Sequence, residues 1–244
     1  MITDVHLHLL QLSEKERDWK DFFNKNSYMA IVSCHSERDL EFAEKFKDKV
    51  AVSFGVHPQN PLLENLSLLE KLIFEKRVAA IGEAGFDRYT KEFKEDFERQ
   101  VKVFEAQLYL ALKHKLPMVI HLRKGYGEMF KYSSFLSELP SVVFHSFSGT
   151  FAEAEFFVKR GVNCFFSFGT ALINNHKKAI NSVKELPFER ILAETDAPYQ
   201  PISGNEFSSL SDIVEVTKKI GEIKGKSFLE AKSLIASNFL KIMF

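Results

Sequence analysis

Short apolar runs rich in β-branched and aromatic residues alternate along the chain with longer stretches in which apolar residues recur every three to four positions. The short runs are typical of strands in a parallel sheet, and the longer stretches are typical of amphipathic helices. The pattern predicts eight strands: Ile2 to His8, Tyr28 to Cys34, Val50 to Val56, Val78 to Gly82, Pro117 to His121, Val142 to His145, Val162 to Ser167 and Ile191 to Thr195.

Helices are predicted between the strands and after the last one: Glu37 to Phe46, Leu62 to Glu75, Lys91 to Lys115, Phe151 to Arg160, Asn175 to Lys184, Leu210 to Ile223 and Phe228 to Phe244. Such alternation indicates βαβ units and a parallel sheet. Eight units in 244 residues are typical of a TIM barrel, (β/α)8, whose active site lies at the C-terminal ends of its strands. An open doubly wound sheet would satisfy the strand count equally well.

Polar residues close to the C-terminal ends of the predicted strands distinguish these two folds: His6, His8, His57, Glu83, His121, His145 and Asp196. In a closed barrel these ends meet at one mouth, whereas in an open sheet the first and last strands lie far apart. One shared site therefore favours an α/β barrel. We expect a single domain over residues 1–244, because no linker, low-complexity run or repeat divides the chain.

The first predicted strand carries the most distinctive motif, in which His6 and His8 project from the same face. Neutral imidazole is the commonest protein ligand for Zn²⁺ and similar ions, and Asp4 on that face is placed to support the pair from behind. Two histidines on an exposed edge strand would give the same pattern. The metal interpretation therefore needs further ligands from elsewhere in the chain.

The fourth, fifth and sixth strands supply candidates for these ligands. Glu83 ends an apolar run between Gly82 and Gly85, which let the backbone turn and leave room for a carboxylate shared by two cations. His121 and His145 each end a short buried strand at matching positions. Together with the His-x-His motif, they favour a metal centre over hydrogen-bonded core histidines.

Asp196 follows the last strand, where it can bind a metal and accept a proton from a metal-activated water, or else serve as a helix N-cap or a turn residue. His57 could hydrogen-bond the substrate, orient a ligand or occupy a turn, and Arg123 could bind a phosphate oxygen or remain solvated. Three further loop cations could add positive charge at the mouth: Arg88, Lys91 and Lys124. Three histidines are expected to be structural or on the surface: His35, His114 and His176.

The composition limits the kind of partner. Basic and acidic residues balance at 33 each, so recognition of a phosphate ester must be local and not a matter of overall charge. The 25 phenylalanines indicate core packing more than a base-stacking platform. Cys34 and Cys164 have no zinc or C-x-x-C spacing, and no apolar run reaches the length of a membrane span. We expect no signal peptide, because the first residues carry no basic region followed by an apolar core. We expect a cytoplasmic protein with reduced thiols, no membrane contact and no obligate protein partner.

Six motifs resemble those of one family, and they occur in the right order: Asp4-Val5-His6-Leu7-His8, Gly55-Val56-His57-Pro58, Ile81-Gly82-Glu83-Ala84-Gly85-Phe86-Asp87, Pro117-Met118-Val119-Ile120-His121-Leu122-Arg123, His145-Ser146-Phe147-Ser148-Gly149 and Glu194-Thr195-Asp196-Ala197-Pro198-Tyr199. From end to end the chain resembles the TatD-type metal-dependent hydrolases, the TatD deoxyribonuclease family of the amidohydrolase superfamily. It departs from their usual pattern at Leu122 and Lys124 and in the segment after Tyr199. These departures leave the substrate preference open.

The resemblance implies a distorted TIM barrel with two divalent cations per chain, Mg²⁺, Mn²⁺ or Zn²⁺. It implies that four residues hold the first cation: His6, His8, Glu83 and Asp196. It implies that three residues hold the second cation: Glu83, His121 and His145. Glu83 is thus shared by both cations. It also implies hydrolysis of phosphodiester bonds at DNA ends, as in a 3′–5′ exodeoxyribonuclease.

The mechanism that these ligands suggest uses two cations about 4 Å apart, which lower the pKa of a bound water and polarise the phosphoryl oxygen that it attacks. Asp196 would accept the proton of that water, while Arg123 and His57 hold the substrate phosphate. One alternative is a binuclear-metal hydrolase of a small-molecule ester, phosphoester or amide. Another is a metal-binding or interaction protein that has lost its activity. Many binuclear amidohydrolases carry a modified lysine where Glu83 stands, so Glu83 favours the phosphoesterase.

Overall fold

The computed structural model describes residues 1–25 and 27–243 of the chain. Its strands form one sheet: β1 (Ile2–Leu7), β2 (Tyr28–Cys34), β3 (Val50–Phe54), β4 (Ala80–Asp87), β5 (Met118–Arg123), β6 (Val142–Phe144), β7 (Cys164–Phe168) and β8 (Ile191–Ala193). Every paired strand is parallel to its neighbour, and the strand order in the sheet follows the chain from β1 to β8. The TIM barrel predicted from the sequence is confirmed.

Helices cover the outside of the barrel: α1 (Leu9–Lys15), α2 (Trp19–Lys25), α3 (Glu37–Ala43), α4 (Leu66–Phe74), α5 (Lys91–Glu95), α6 (Phe97–His114), α7 (Tyr126–Met129), α8 (Ser133–Leu136), α9 (Phe151–Lys159), α10 (Lys177–Glu185), α11 (Asp212–Ile223) and α12 (Phe228–Met243). The helix predicted from Lys91 to Lys115 is split between α5 and α6. The predicted end of the last helix, Phe244, lies outside the described residues. None of the helices described is long and apolar enough to cross a bilayer.

Four helices were not predicted: α1, α2, α7 and α8. The first of them begins at Leu9, directly after His8, so that strand and helix form one continuous apolar stretch with no turn residue between them. α7 and α8 have four residues each, which is too short for a helical period to stand out from noise.

Strand ends also differ from those predicted. β1, β3, β6 and β8 end one or two residues early, so His8, Val56, His145 and Thr195 lie just beyond the regular ladder. β4 instead continues to Asp87, because one extra residue between Ile81 and Ala84 shifts its register against β5 and the strand then resumes.

Two apolar layers position the site. Inside the barrel, side chains from β1, β2 and β4 to β8 pack in a core that Phe239 and Ile242 of α12 complete. Asn238 of the same helix donates to the carbonyl of Ile191, where β8 begins. The larger core lies between the outer faces of the strands and the surrounding helices. Because α12 covers the N-terminal end of the barrel, the C-terminal mouth is the end left open.

The barrel closes between β1 and the segment after β8. The Asp196 N–H donates to the His6 carbonyl at 2.9 Å, and the His8 N–H donates to the Ala197 carbonyl at 2.8 Å. These two bonds bring the last predicted site residue beside the first two, although about 190 residues separate them in the chain.

Asp4 strengthens this closure. Its carboxylate accepts hydrogen bonds from the Thr195 N–H at 3.1 Å, the Thr195 hydroxyl at 2.7 Å and the Tyr28 hydroxyl at 3.1 Å. It also accepts from the backbone N–H of His6 at 3.2 Å. Asp4 therefore supports the backbone that carries the His-x-His motif, and the predicted support of the imidazoles from behind is wrong in that respect.

Candidate metal centre

The residues predicted as metal ligands meet at the barrel mouth, around a cavity of about 780 Å³. They come from β1, β4 and β5 and from the residues just after β1, β6 and β8. All of them are more than nine-tenths buried: His6, His8, Glu83, His121, His145 and Asp196. The structure thus brings together six polar side chains that the chain spreads over about 190 positions.

β4 can carry Glu83 into the mouth because glycines flank the carboxylate. Gly82 and Gly85 have φ angles of 149° and 143°, which residues with side chains rarely adopt. A Cβ on either would collide with a backbone carbonyl of β5, that of Val119 or that of His121. The glycines therefore allow β4 and β5 to pack closely around the extra residue of β4.

One oxygen of Glu83 faces the residues at the ends of β1 and β8. Oε2 lies 3.3 Å from Nε2 of His6 and 3.7 Å from Nε2 of His8. Oδ1 of Asp196 lies 3.6 and 3.5 Å from the same two nitrogens. Ligands about 2.1 Å from a tetrahedral metal are roughly 3.4 Å from one another. The four groups are therefore spaced as they would be around a cation.

The other oxygen of Glu83 faces the histidines of β5 and β6. Oε1 lies 2.6 Å from Nδ1 of His121 and 2.7 Å from Nε2 of His145, and these two nitrogens are 3.1 Å apart. These distances are typical of hydrogen bonds and are shorter than those among His6, His8, Oε2 of Glu83 and Asp196. The two oxygens of the carboxylate therefore face different sets of histidines.

Unpaired polar atoms at the site also fit a cation. Both ring nitrogens of His6 and Nδ1 of His145 are buried and have no hydrogen-bond partner within residues 1–25 and 27–243. A buried polar group without a partner costs about 1–3 kcal/mol. A divalent cation between His6, His8 and the two carboxylates would remove this cost for one of the His6 nitrogens, and mixed imidazole and carboxylate donors suit such ions.

The carboxylates are ionised in this setting. Burial alone would raise the pKa of Glu83, but the surrounding imidazoles, that of His145 foremost, outweigh burial and hold the pKa well below its ordinary value. Burial also opposes ionisation of Asp196, and the hydrogen bond with His8 contributes to lowering its pKa nonetheless. Both groups therefore carry the negative charge that a metal ligand or a proton acceptor requires.

His57, in the loop after β3, contacts Glu83, with Nε2 3.1 Å from Oε1. Its Nδ1 accepts a hydrogen bond from the Gln59 N–H at 3.1 Å, so the neutral ring carries its proton on Nε2 and donates it to the carboxylate. Burial, the largest cause, lowers the pKa of His57 to about 4 and favours this neutral form. The contact favours a role in orienting Glu83, and binding of substrate by His57 stays a prediction.

Asp87, at the end of β4, is a site residue beyond those predicted from the sequence. Its Oδ2 accepts hydrogen bonds from Nε2 of His121 at 3.1 Å and from Nε2 of Gln59 at 2.8 Å, so Nδ1 of His121 is turned towards Glu83. Burial opposes ionisation of Asp87, but these bonds outweigh it and lower its pKa to about 2. Its position four residues after Glu83, on the same face of one strand, was the available signal.

Glu194, just after β8, is buried beside His145, with Oε1 3.9 Å from Nδ1 of that histidine. Its Oε2 accepts a hydrogen bond from the Ser167 hydroxyl at 2.5 Å. Burial, aided by the nearby charge of Asp196, raises the pKa of Glu194 well above its ordinary value. In the sequence Glu194 stands in the last of the six motifs, where no local pattern assigns it a role.

Two buried glutamines of α6 hold the backbone near the site. Oε1 of Gln107 accepts from the Val56 N–H at 2.8 Å, and Nε2 donates to the Val56 carbonyl at 3.1 Å. Gln100 binds the N–H and carbonyl of Asp87 in the same way, at 2.9 Å each. The helix thereby fixes the two segments that carry His57 and Asp87.

Replacing Gln107 by leucine is expected to lower the free energy of unfolding by about 2–4 kcal/mol, because two buried backbone groups of Val56 lose their partners. Urea denaturation followed by circular dichroism would measure the change. Lys102→Leu, at an exposed position of the same helix, serves as the control and should change the free energy by no more than about 0.5 kcal/mol. Equal stability of wild type and Gln107→Leu would contradict the anchoring role.

The basic residues expected near the mouth divide into two groups. Arg123 lines the main cavity, with Nη1 3.6 Å from Oδ2 of Asp87, and Lys124 lines an adjoining cavity. Arg88 instead lies over an aromatic ring of α6, 4.6 Å from its centre, and Lys91 pairs within α5 and is almost fully exposed. Neither of these two lines either cavity.

Of the three histidines expected to be structural or on the surface, His35 is the important exception. It follows β2 at the mouth, with Nε2 3.7 Å from Oε2 of Glu83 and Nδ1 3.0 Å from the Gly55 carbonyl. His176 is exposed but also lines the main cavity, and His114 is exposed at the end of α6. The position of His35 directly after a strand was the signal that it belongs to the mouth.

A parallel barrel with histidines and carboxylates gathered at its C-terminal mouth is typical of metal-dependent hydrolases. Within this class, the chain matches the family described as TatD related DNase over residues 3–243, and it belongs to that family. The resemblance seen in the six sequence motifs is confirmed.

Three similar proteins cover between 71% and 99% of the chain. It is 29% identical to an uncharacterized metal-dependent hydrolase of Mycoplasma genitalium, over 99% of this chain and 98% of the relative. It is 31% identical to the 3′–5′ ssDNA/RNA exonuclease TatD of a Rahnella species, over 71% of this chain and 68% of the relative. A TatD homologue of Escherichia coli K12 shares the fold, with a TM-score of 0.88 and 23% identity, over 99% of this chain and 97% of that one.

Proposed function

We propose that the chain hydrolyses phosphodiester bonds and removes nucleotides from DNA ends in the 3′–5′ direction. The observation that carries the proposal is the position of Glu83, whose two oxygens face separate histidine groups. We further propose that these groups hold two divalent cations, Mg²⁺, Mn²⁺ or Zn²⁺, through His6, His8 and Asp196 on one side and through His121 and His145 on the other. The family match and the relatives named 3′–5′ exonuclease support the choice of a nucleic acid as substrate.

Cations bound there would polarise the phosphate and lower the pKa of the attacking water. Side chains of the protein accept the proton, bind the phosphate and position Glu83. Asp196 accepts the proton of the attacking water, since its lowered pKa keeps it ionised. Arg123 donates to the substrate phosphate from the rim of the cavity. His57 holds Glu83 in place, and its ring also lines the cavity where it can meet the substrate.

We place the reaction in the cytoplasm as part of the same proposal. Both cysteines, Cys34 and Cys164, are free and buried, and burial raises the pKa of the Cys164 thiol to about 12, which keeps it protonated and unreactive. Free thiols of this kind are usual in a reducing compartment.

The test is digestion of a single-stranded oligonucleotide labelled at its 5′ end, with Mg²⁺, Mn²⁺ or Zn²⁺ added to protein that was first stripped by a chelator. We expect a ladder of products that shorten one nucleotide at a time, and no cleavage while the chelator is in excess. The same oligonucleotide labelled at its 3′ end should release a labelled mononucleotide at once. No cleavage by metal-loaded protein that still hydrolyses a simple ester or amide would contradict the proposal and favour a small-molecule substrate.

A further inference from the structure

A second cavity of about 530 Å³ opens beside the main one. Tyr89, Arg123, Lys124 and Lys178 line it, and we refer to it as the side cavity. Arg123 and Lys178 line the main cavity as well, as does Ser148. The side cavity therefore adjoins the space in front of the candidate metal centre.

The side cavity is rich in positive charge. The Arg123 guanidinium lies 4.2 Å from the centre of the Tyr89 ring, and Nζ of Lys124 lies 4.5 Å from it. Tyr89 is 54% exposed, so both cations are held at a surface that solvent and ligands can reach. Lys178 adds a third positive charge from the start of α10.

Lys124 provides the charge that is least neutralised. Asp87 lies 3.6 Å from Arg123 and offsets part of its charge. Glu153 also lines the side cavity, but it lies 3.9 Å from Lys178 and accepts hydrogen bonds from the N–H and hydroxyl of Thr150, the N-cap of α9. Within the described parts of the chain, Lys124 forms no ion pair with a carboxylate.

The backbone places the two neighbouring cations on the same ring. In an extended strand Arg123 and Lys124 would point to opposite sides. Lys124 instead has a φ of 58°, a left-handed conformation that ends this alternation directly after β5. The next residue has to be glycine, because a Cβ on Gly125 would lie 2.8 Å from Cβ of Phe86. The local sequence thus holds a strained turn whose effect is to bring both charges over Tyr89.

We infer that the side cavity binds a second phosphate of the substrate, the one that precedes the scissile phosphate on the 5′ side. This inference rests on the proposed phosphodiesterase function. Arg123 connects the side cavity to the candidate metal centre, because Asp87 contacts both Arg123 and His121. A strand of nucleic acid carries phosphates at regular intervals, whereas a simple phosphodiester has one. The substrate class is therefore a chain of at least two phosphate groups.

The test compares two thymidine dinucleotides that differ only in a 5′-terminal phosphate, with kcat/KM measured for each on the metal-loaded protein. Wild type should prefer the phosphorylated dinucleotide. Lys124→Gln and Lys178→Gln should each reduce the ratio of the two kcat/KM values by about fivefold, the effect of losing one exposed ionic contact. Lys177→Gln is the matched control, because Lys177 is an exposed neighbour on α10 that lines neither cavity. Its ratio should equal that of wild type.

Salt dependence gives a second readout. On an oligonucleotide, the slope of log(kcat/KM) against log salt should become shallower by about 0.7 in Lys124→Gln, as for the loss of one phosphate contact on a single strand. An equal kcat/KM for both dinucleotides in wild type, or an unchanged ratio in both lysine variants, would overturn the inference while the phosphodiesterase proposal stands. Failure of metal-loaded wild type to cleave either dinucleotide or the oligonucleotide would overturn both.

Discussion

Replacement of Asp196 by asparagine is expected to lower kcat for an oligonucleotide by about 10²–10⁴-fold, the usual contribution of a positioned acid or base. The amide keeps the size of the carboxylate but cannot accept the proton of the attacking water. Oδ1 of Asp196 lies within 3.6 Å of both imidazoles of the His-x-His motif, at the position where such a proton acceptor is needed. The loss should therefore appear in kcat even at saturating substrate.

The fold should survive this substitution. Asp196 has a φ of 54°, and asparagine is among the residues that tolerate the left-handed region best. The hydrogen bond that closes the barrel at this point comes from the backbone N–H of residue 196 and does not depend on the side chain. The hydrogen bond between Oδ2 and Gln200 can be replaced through the amide oxygen.

Asp48→Asn is the matched control for Asp196→Asn. Asp48 is exposed in the segment that precedes β3, at the opposite end of the barrel, and its substitution should leave kcat unchanged. Because Asp196 is also proposed to bind a cation, the assay needs a metal titration. Recovery of full activity at high metal concentration would mean that only cation binding was lost. Turnover close to that of wild type at ordinary metal concentration would contradict both roles.

The barrel could be predicted because its strands are short apolar runs that polar residues interrupt at regular places. Tyr28–Cys34 was located with both of its ends, since every residue from 28 to 34 except Met29 is buried and polar residues follow. The candidate ligands could be predicted for a related reason. A histidine or carboxylate at the end of a buried run, such as His121, is costly to bury unless it has a partner or a function.

Contacts between distant segments could not be predicted in the same way. Nothing local to His35 indicates that its ring would lie 3.7 Å from Glu83, because that distance depends on how β2 and β4 are arranged around the barrel. The support of His121 by Asp87 likewise depends on a register shift in β4, after which the strand pairs with β5 again and continues to Asp87. The partner of Gln107 could not be predicted for the same reason, since the sequence of a helix does not reveal which distant backbone groups a buried glutamine binds.

The side cavity could not be predicted because it depends on a local backbone conformation. The sequence predicts Lys124 only as a loop cation that could add charge near the mouth. Its effect depends on a left-handed backbone conformation that the sequence Arg123-Lys124-Gly125 permits but does not require. Glycine at 125 is the local hint, because it marks a close approach of backbone and side chains at the end of β5.

Glu83→Gln is expected to weaken the binding of divalent cations by at least about 100-fold, the upper end of the effect of losing an outer-shell partner. The amide keeps the volume of the side chain but removes the negative charge that both histidine groups face. A cation at 100 times its dissociation constant stabilises the folded wild type by about 2.7 kcal/mol. In a chain of this length that free energy corresponds to a rise in Tm of roughly 5–10 °C. The variant should show almost no rise.

Thermal unfolding with and without Mn²⁺, together with isothermal titration, measures this effect without reference to activity. Glu138→Gln is the control, because Glu138 is exposed in the segment that precedes β6, away from the mouth. The stoichiometry decides how Glu83 acts. Since Oε2 and Oε1 face different histidines, a bridging carboxylate predicts that both cations are weakened together. If one cation still binds with wild-type affinity, Glu83 serves a single cation. If both do, the centre does not depend on this carboxylate, and the observation that carries the proposed function is wrong.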